Sequence, residues 1–111
     1  MGHEKLDCYR LLLEVAKGLD RIMRGWPRGY GYVADQARRA MASAVLNLVE
    51  GNGKRRYGPE RRRFFRISLG SISEVAACLD LASIYSLISA EGAAELKGKL
   101  EASYFMIRKL P

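Results

Sequence analysis

Lys54, Arg55, Arg56, Arg61, Arg62, Arg63 and Arg66 crowd seven cations into one short stretch, with Glu60 as the single acid among them. The stretch therefore carries +6 of the chain's formal net charge of +7, and the remainder is close to neutral. Guanidinium and ammonium groups at this density suit the neutralisation of phosphates, and a helix N-terminus beside them adds its own amides. Lys54, Arg55, Arg56, Arg61, Arg62 and Arg66 are the expected phosphate contacts. Arg38 or Arg39 and Arg28 are weaker candidates, and Tyr57 can stack on a base. Such contacts confer affinity with little sequence information. The bland alternative is a solvated face with some ion pairs between subunits.

Catalysis has little to work with. The one histidine, His3, stands near the start of the chain. Gly51-Asn52-Gly53-Lys54 lacks both the glycine spacing of a phosphate-binding P-loop and the strand that precedes one. Glu50, Glu60 and Glu74 have no histidine partner and no metal-ligand spacing. Two cysteines, Cys8 and Cys78, cannot supply a four-ligand zinc site and read as buried thiols in a reducing compartment. The expectation is no catalytic residue, no metal and no cofactor. No stretch approaches the ~20 apolar residues of a membrane span, and the N-terminus has no signal-peptide pattern. Cytoplasm is the expected location, with no membrane partner.

The elements that must position the basic stretch are helical. A hydrophobic content of 49% with 28% charged residues supports a core and argues against disorder, and 111 residues suit one domain. Helix one is expected over about 4–24, with Cys8, Leu12, Val15, Leu19, Ile22 and Trp26 on one face. Leu6, Tyr9, Leu13 and Ala16 form an adjacent stripe, and Gly18 allows a neighbour to approach. Trp26, Tyr30 and Tyr32, interleaved with Arg28, either stack on bases or pin a loop over the bundle end; the second reading is the simpler. Helix two is expected over about 33–50, on the seam Ala37, Met41, Ala44, Leu48. Gly51 or Gly53 is expected to end it in the left-handed conformation.

Pro59 suits the first turn of helix three, expected over about 59–87. Phe65, Leu69, Ile72, Ala76, Leu79, Ser83 and Ser86 give it one seam, and Phe64, Ser68, Ser71, Val75, Cys78, Ala82 and Tyr85 a second. Ile67, Gly70, Ala77, Leu81, Ile84 and Ile88 add a third. A helix apolar nearly all round needs cover on more than one side, which predicts self-association. Helix four is expected over about 90–109, capped by Ser89 and buried through Ala93, Leu96, Leu100, Ser103, Ile107 and Leu110. Short links between four helices predict an all-α, antiparallel up-down-up-down four-helix bundle.

Several separated motifs carry a family resemblance: the run from Ser43 to Lys54 (SAVLNLVEGNGK), the run from Glu60 to Ser71 (ERRRFFRISLGS), Glu74, and Gln36-Ala37-Arg38-Arg39-Ala40 at the entry to helix two. With these the chain resembles the bacterial four-helix-bundle family encoded in intervening sequences of 23S ribosomal RNA genes. The resemblance implies a homopentameric ring. It also implies kinship with accessory proteins of diversity-generating retroelements, basic pentamers that bind RNA and associate with a reverse transcriptase. Asn47, Glu50, Arg63 and Glu74 match the family pattern, which implies an internal polar cluster: Arg63 bridging carboxylates, and Asn47 satisfying backbone at the bundle end. The chain departs from the pattern at Arg61 and Arg62, where the family usually has apolar or aromatic residues, and at Tyr57, where it has a small polar one. The function expected is a non-catalytic, homo-oligomeric accessory protein bound to an RNA or DNA backbone. The alternative is a protein-interaction scaffold encoded in a 23S rRNA intervening sequence, with no direct nucleic-acid role.

Overall fold

The chain folds as an all-α, antiparallel four-helix bundle, seen in a computed structural model that describes residues 3–111, with side chains from position 7 onward. Leu6, expected on the second stripe of the first helix, falls outside the described side chains. The helices are α1 (His3–Met23), α2 (Gly31–Asn52), α3 (Pro59–Ile84) and α4 (Ala90–Arg108). Each packs on its sequence neighbours and α1 closes the ring against α4. The bundle measures 44 × 22 × 18 Å, so its two ends are far apart for a chain of this size.

The apolar spacing explains the packing. Cys8, Leu12, Val15 and Leu19 of α1 are buried, and they meet Ala37, Met41, Ala44 and Leu48 of α2 in one core. Phe65, Ile72, Val75, Cys78 and Leu79 of α3 and Leu96, Leu100 and Ile107 of α4 complete it. Gly18 admits its neighbour closely: a Cβ there would stand 3.2 Å from Leu96 Cδ2. Between α2 and α3 the serine hydroxyls find partners. Ser68 Oγ donates to the Ala44 carbonyl at 2.7 Å, and the Ser43 and Ser71 hydroxyls lie 2.7 Å apart. Small residues at these positions let the two helices approach with these hydroxyls satisfied.

Several expected boundaries shift. α2 starts two residues before Val33 and runs through Gly51 to Asn52. Neither glycine takes the left-handed conformation: Gly53 has φ −80° and Gly51 lies within the helix. Gly51 instead makes room, because a Cβ there would stand 2.6 Å from the Phe65 ring. The left-handed positions fall on Tyr57 (φ 61°), Ser86 (φ 60°) and Gly29 (φ 105°). α3 stops at Ile84 and not at residue 87, since Leu87 N–H reaches back to the Ala82 carbonyl at 2.8 Å and turns the chain towards α4. Ser89 caps α4 through its Oγ, which accepts from Gly92 N–H at 3.0 Å.

By length and composition α3 is apolar enough to cross a membrane, whereas the sequence pattern predicted no such stretch. Its buried seams nonetheless serve the bundle, packing against both α2 and α4. The third stripe of α3 does not: Ile67, Leu81 and Ile84 stay exposed, Ile84 at 74%.

Two outcomes follow from the packing. Gly51→Ala would gain about 1 kcal/mol of helix propensity, but overpacking against a buried ring costs about 1–3 kcal/mol. We expect a net loss, read as a lower urea midpoint; an unchanged midpoint would refute the close-packing role. The second outcome concerns Cys78, whose thiol is pushed above its ordinary value first by burial and then by the Glu74 carboxylate. A raised folded pKa gives stability that is full below the unfolded thiol pKa and is lost as pH climbs from there through the folded one. Thermal stability should therefore fall in alkaline solution, and Cys78→Ala should flatten part of that fall.

Candidate nucleic-acid interface

The loop between α2 and α3 is closed by a buried cation. Arg61, in the first turn of α3, is 1% exposed. Its Nη1 donates to the carbonyls of Gly51 and Asn52 at 3.2 Å each and of Lys54 at 3.3 Å. Gly51 and Asn52 are the last residues of α2, whose carbonyls sit at the negative end of its dipole, and Lys54 follows in the loop; the Gly51 carbonyl also accepts from Lys54 N–H at 3.1 Å. The guanidinium lies over the Phe65 ring, 4.8 Å from its centroid. Desolvation, and after it the Arg56 charge, lower its pKa. An arginine remains a cation under such shifts, so a full charge is held inside.

Arg61 therefore leaves the set of phosphate contacts: its side chain is spent on closing α2. The signal in the sequence was the expectation, from the resemblance, of an apolar or aromatic residue at this position. The position is indeed internal, and here an arginine fills it by finding carbonyls and a ring.

The internal polar cluster is corrected as well. Arg63 is exposed and lies over the Phe64 ring, 4.5 Å from its centroid, where it meets no carboxylate. Glu50 is exposed at the end of α2. Asn47 donates to the Ser43 carbonyl at 2.8 Å, one turn back in its own helix, and not to the bundle end. Glu74 accepts from Gln36 across the α2–α3 seam. The four residues serve separate contacts because only Asn47 and Glu74 face that seam.

What remains exposed around the loop is strongly basic. Arg55, Arg56, Arg62, Arg63 and Arg66 are all exposed, and i+3 and i+4 spacing puts Arg66 on one face with Arg63 and Arg62. Lys54 is half-buried, 3.8 Å from Glu60 and 5.6 Å from the Phe64 ring centroid. Tyr57 is 70% exposed. Its left-handed backbone is held from both sides: its N–H donates to the Pro111 carbonyl at 2.6 Å, and its carbonyl accepts from Arg62 Nη1 at 2.6 Å. The first of these bonds brings the end of α4 beside the loop. Arg108 and Lys109, exposed there, join the basic end although they are distant in sequence.

Arg38 and Arg39 lie elsewhere. They precede the loop by fourteen or so helical residues, about 20 Å along α2. Arg38 lies 3.8 Å from each of Asp20 and Asp35, which partly offset its charge. Arg39 is exposed on the outer side of α2, away from the basic end. At the opposite end Trp26 Nε1 donates to the Leu87 carbonyl at 2.9 Å, and the Tyr30 and Tyr85 rings lie 5.6 Å apart. Those aromatics pin the α1–α2 loop to the α3–α4 loop. Arg28 is exposed at that far end. Among the described residues no group of three His, Cys, Asp or Glu side chains gathers that could hold a metal ion.

The sequence pattern of the 23S rRNA-intervening sequence protein family matches residues 4–109. The chain belongs to this family. No curated protein matches it. As a 23S rRNA-intervening sequence protein it spends one arginine of its basic run internally and exposes the others.

The buried role of Arg61 has a direct check. Arg61→Ala should cost about 3 kcal/mol, by stranding the Asn52 and Lys54 carbonyls and opening space over Phe65. Arg66→Ala should stay within about 0.5 kcal/mol. Equal urea midpoints for the two variants would rule out the internal role.

Proposed function

We propose that this protein is a non-catalytic, basic RNA-binding accessory that acts as a homo-oligomer in the cytoplasm. One contrast carries the reading. Elsewhere on the surface many cations are matched, Arg10 with Asp7 and Glu14, Arg24 with Asp20, Lys97 with Asp80, Lys99 with Glu14 and Glu95, and the unmatched ones, Lys17, Arg21, Arg28 and Arg39, are not gathered into one run. At the loop end Arg55, Arg56, Arg62, Arg63 and Arg66 form no ion pair among the described residues. Unmatched guanidiniums held on a rigid helix start and a pinned loop suit a phosphate backbone, DNA or RNA, and supply affinity without base readout. Tyr57 offers one exposed ring for stacking.

Self-association is supported by a different surface. Leu46 of α2 and Ile67, Leu81 and Ile84 of α3 are exposed along the bundle's side, and Leu46 is 62% exposed. Covering them with a second copy would satisfy the third stripe of α3. The family resemblance favours a pentameric ring, in which each subunit's basic end repeats and weak single contacts multiply. It also favours kinship with retroelement accessory proteins and a reverse transcriptase as partner. The same apolar side supports the second reading, a scaffold that docks a protein and has no direct nucleic-acid role.

Salt and mutation separate the two. RNA affinity should fall steeply with ionic strength, and Arg55→Ala with Arg56→Ala should lower the log–log salt slope by about 1 for each phosphate no longer neutralised. The oligomer's mass by light scattering should be unchanged in that variant, whereas Leu81→Asp with Ile84→Asp should reduce it. RNA binding that ignores both salt and the arginines would defeat the first reading.

A further inference from the structure

The outer side of α2 and α3 carries charges that the chain itself leaves unused. On α2, helical spacing puts Arg39, Leu46 and Glu50 within about 40° of one another, along one line of the helix. On α3, Arg63, Ile67, Gly70, Glu74 and Leu81 follow a second line, within about 60°. Every residue of both lines is exposed. Arg39, Glu50 and Arg63 form no ion pair among the described residues, and Glu74 meets only the neutral Gln36 amide. The Gln36–Glu74 and Ser43–Ser71 contacts fix the antiparallel register of the two helices. Within about one turn, that register sets Arg39 level with Glu74, Leu46 with Ile67, and Glu50 with Arg63. The two lines are therefore complementary in sign and in apolarity along their length. Gly70 adds an independent observation. A glycine inside a helix weakens it, yet a Cβ at Gly70 would meet nothing within 4 Å. Nothing in its own chain packs into the space it leaves.

We infer that α2 of one copy packs against α3 of the next, with the bundles side by side and parallel. The inference rests on the self-association proposed above and names its contact. Because α2 and α3 are antiparallel within a chain, parallel copies bring the two lines together at equal height. Arg39 then meets the partner's Glu74, Glu50 meets the partner's Arg63, and Leu46 enters the space at the partner's Ile67 and Gly70. Charges paired in this way fix register and exclude slipped arrangements. The two surfaces of the contact differ, so it repeats from copy to copy and a ring closes it. Parallel copies also carry all their basic ends on one side, where weak contacts to one strand add up. Arg63 is drawn into the contact, and Arg55, Arg56, Arg62 and Arg66 stay open to a ligand.

The test reads the mass of the full chain by light scattering over a dilution series. Arg39→Glu and Glu74→Arg each set like charges face to face, and each should weaken assembly about tenfold. Mixed one to one, the two variants restore opposite charges across the contact and should regain a multi-chain mass. Gly70→Leu clashes with nothing inside the chain, so it should keep the helical circular dichroism and still lower the mass. A wild-type oligomer whose mass survives all three substitutions would overturn this contact and leave self-association standing. Single variants that come apart and do not recover on mixing would overturn the pairing of α2 with α3. A wild-type mass of one chain at every concentration would overturn self-association itself, and the contact with it.

Discussion

The Arg61 guanidinium against the last carbonyls of α2 is the contact on which the basic end depends. A helix that stops inside a bundle leaves carbonyls unpaired, and a chain that must reverse at once has little room to solvate them. Arg61 answers from the next helix, reaching back to Gly51, Asn52 and Lys54. It reaches because α2 and α3 close tightly, and they close because Gly51 has no side chain where the Phe65 ring lies. Burying a charge costs several kcal/mol, which the attraction to aligned carbonyls and the ring face offsets. The arrangement is therefore sensitive to any member: glycine, phenylalanine and arginine act as one unit.

That unit decides where the other charges go. With the end of α2 fixed on one side and α3 started on the other, the intervening loop is short and pinned. Arg55 and Arg56 point outward, and Tyr57 is held in a left-handed turn by bonds to Pro111 and Arg62. The antiparallel order brings two helix N-termini and two C-termini to this end, so the backbone dipoles largely cancel and the side chains set the field. The field is positive because neighbouring acids are few and Glu60 is taken by Lys54.

The apolar surplus of α3 lies along the side of the bundle, not at its end. Ser68 and Ser71 face α2, while Ile67, Leu81 and Ile84 face out. An anionic ligand at the end and a protein on the side would not compete for the same atoms. The geometry thus lets both features of the proposed function operate in one chain.

The four helices, their core seams, the Ser89 cap and the place of the basic run were legible in the sequence, because apolar periodicity and turn residues are local properties. Gln36 with Glu74, and Ser43 with Ser71, needed the register of α2 on α3, which no local pattern contains. The roles of Arg61 and Arg63 were exchanged for a related reason: adjacent arginines look alike in sequence, yet two residues on a helix differ by about 200° in direction. Arg61 faces α2 and is absorbed, and Arg63 faces water. Arg108 and Lys109 joined the basic end only through the return of α4, far along the chain. Sequence by itself determined how much positive charge there was and on which segment; the packing of α2 on α3 decided which of those charges a ligand can reach, because burial depends on what a side chain meets across the bundle.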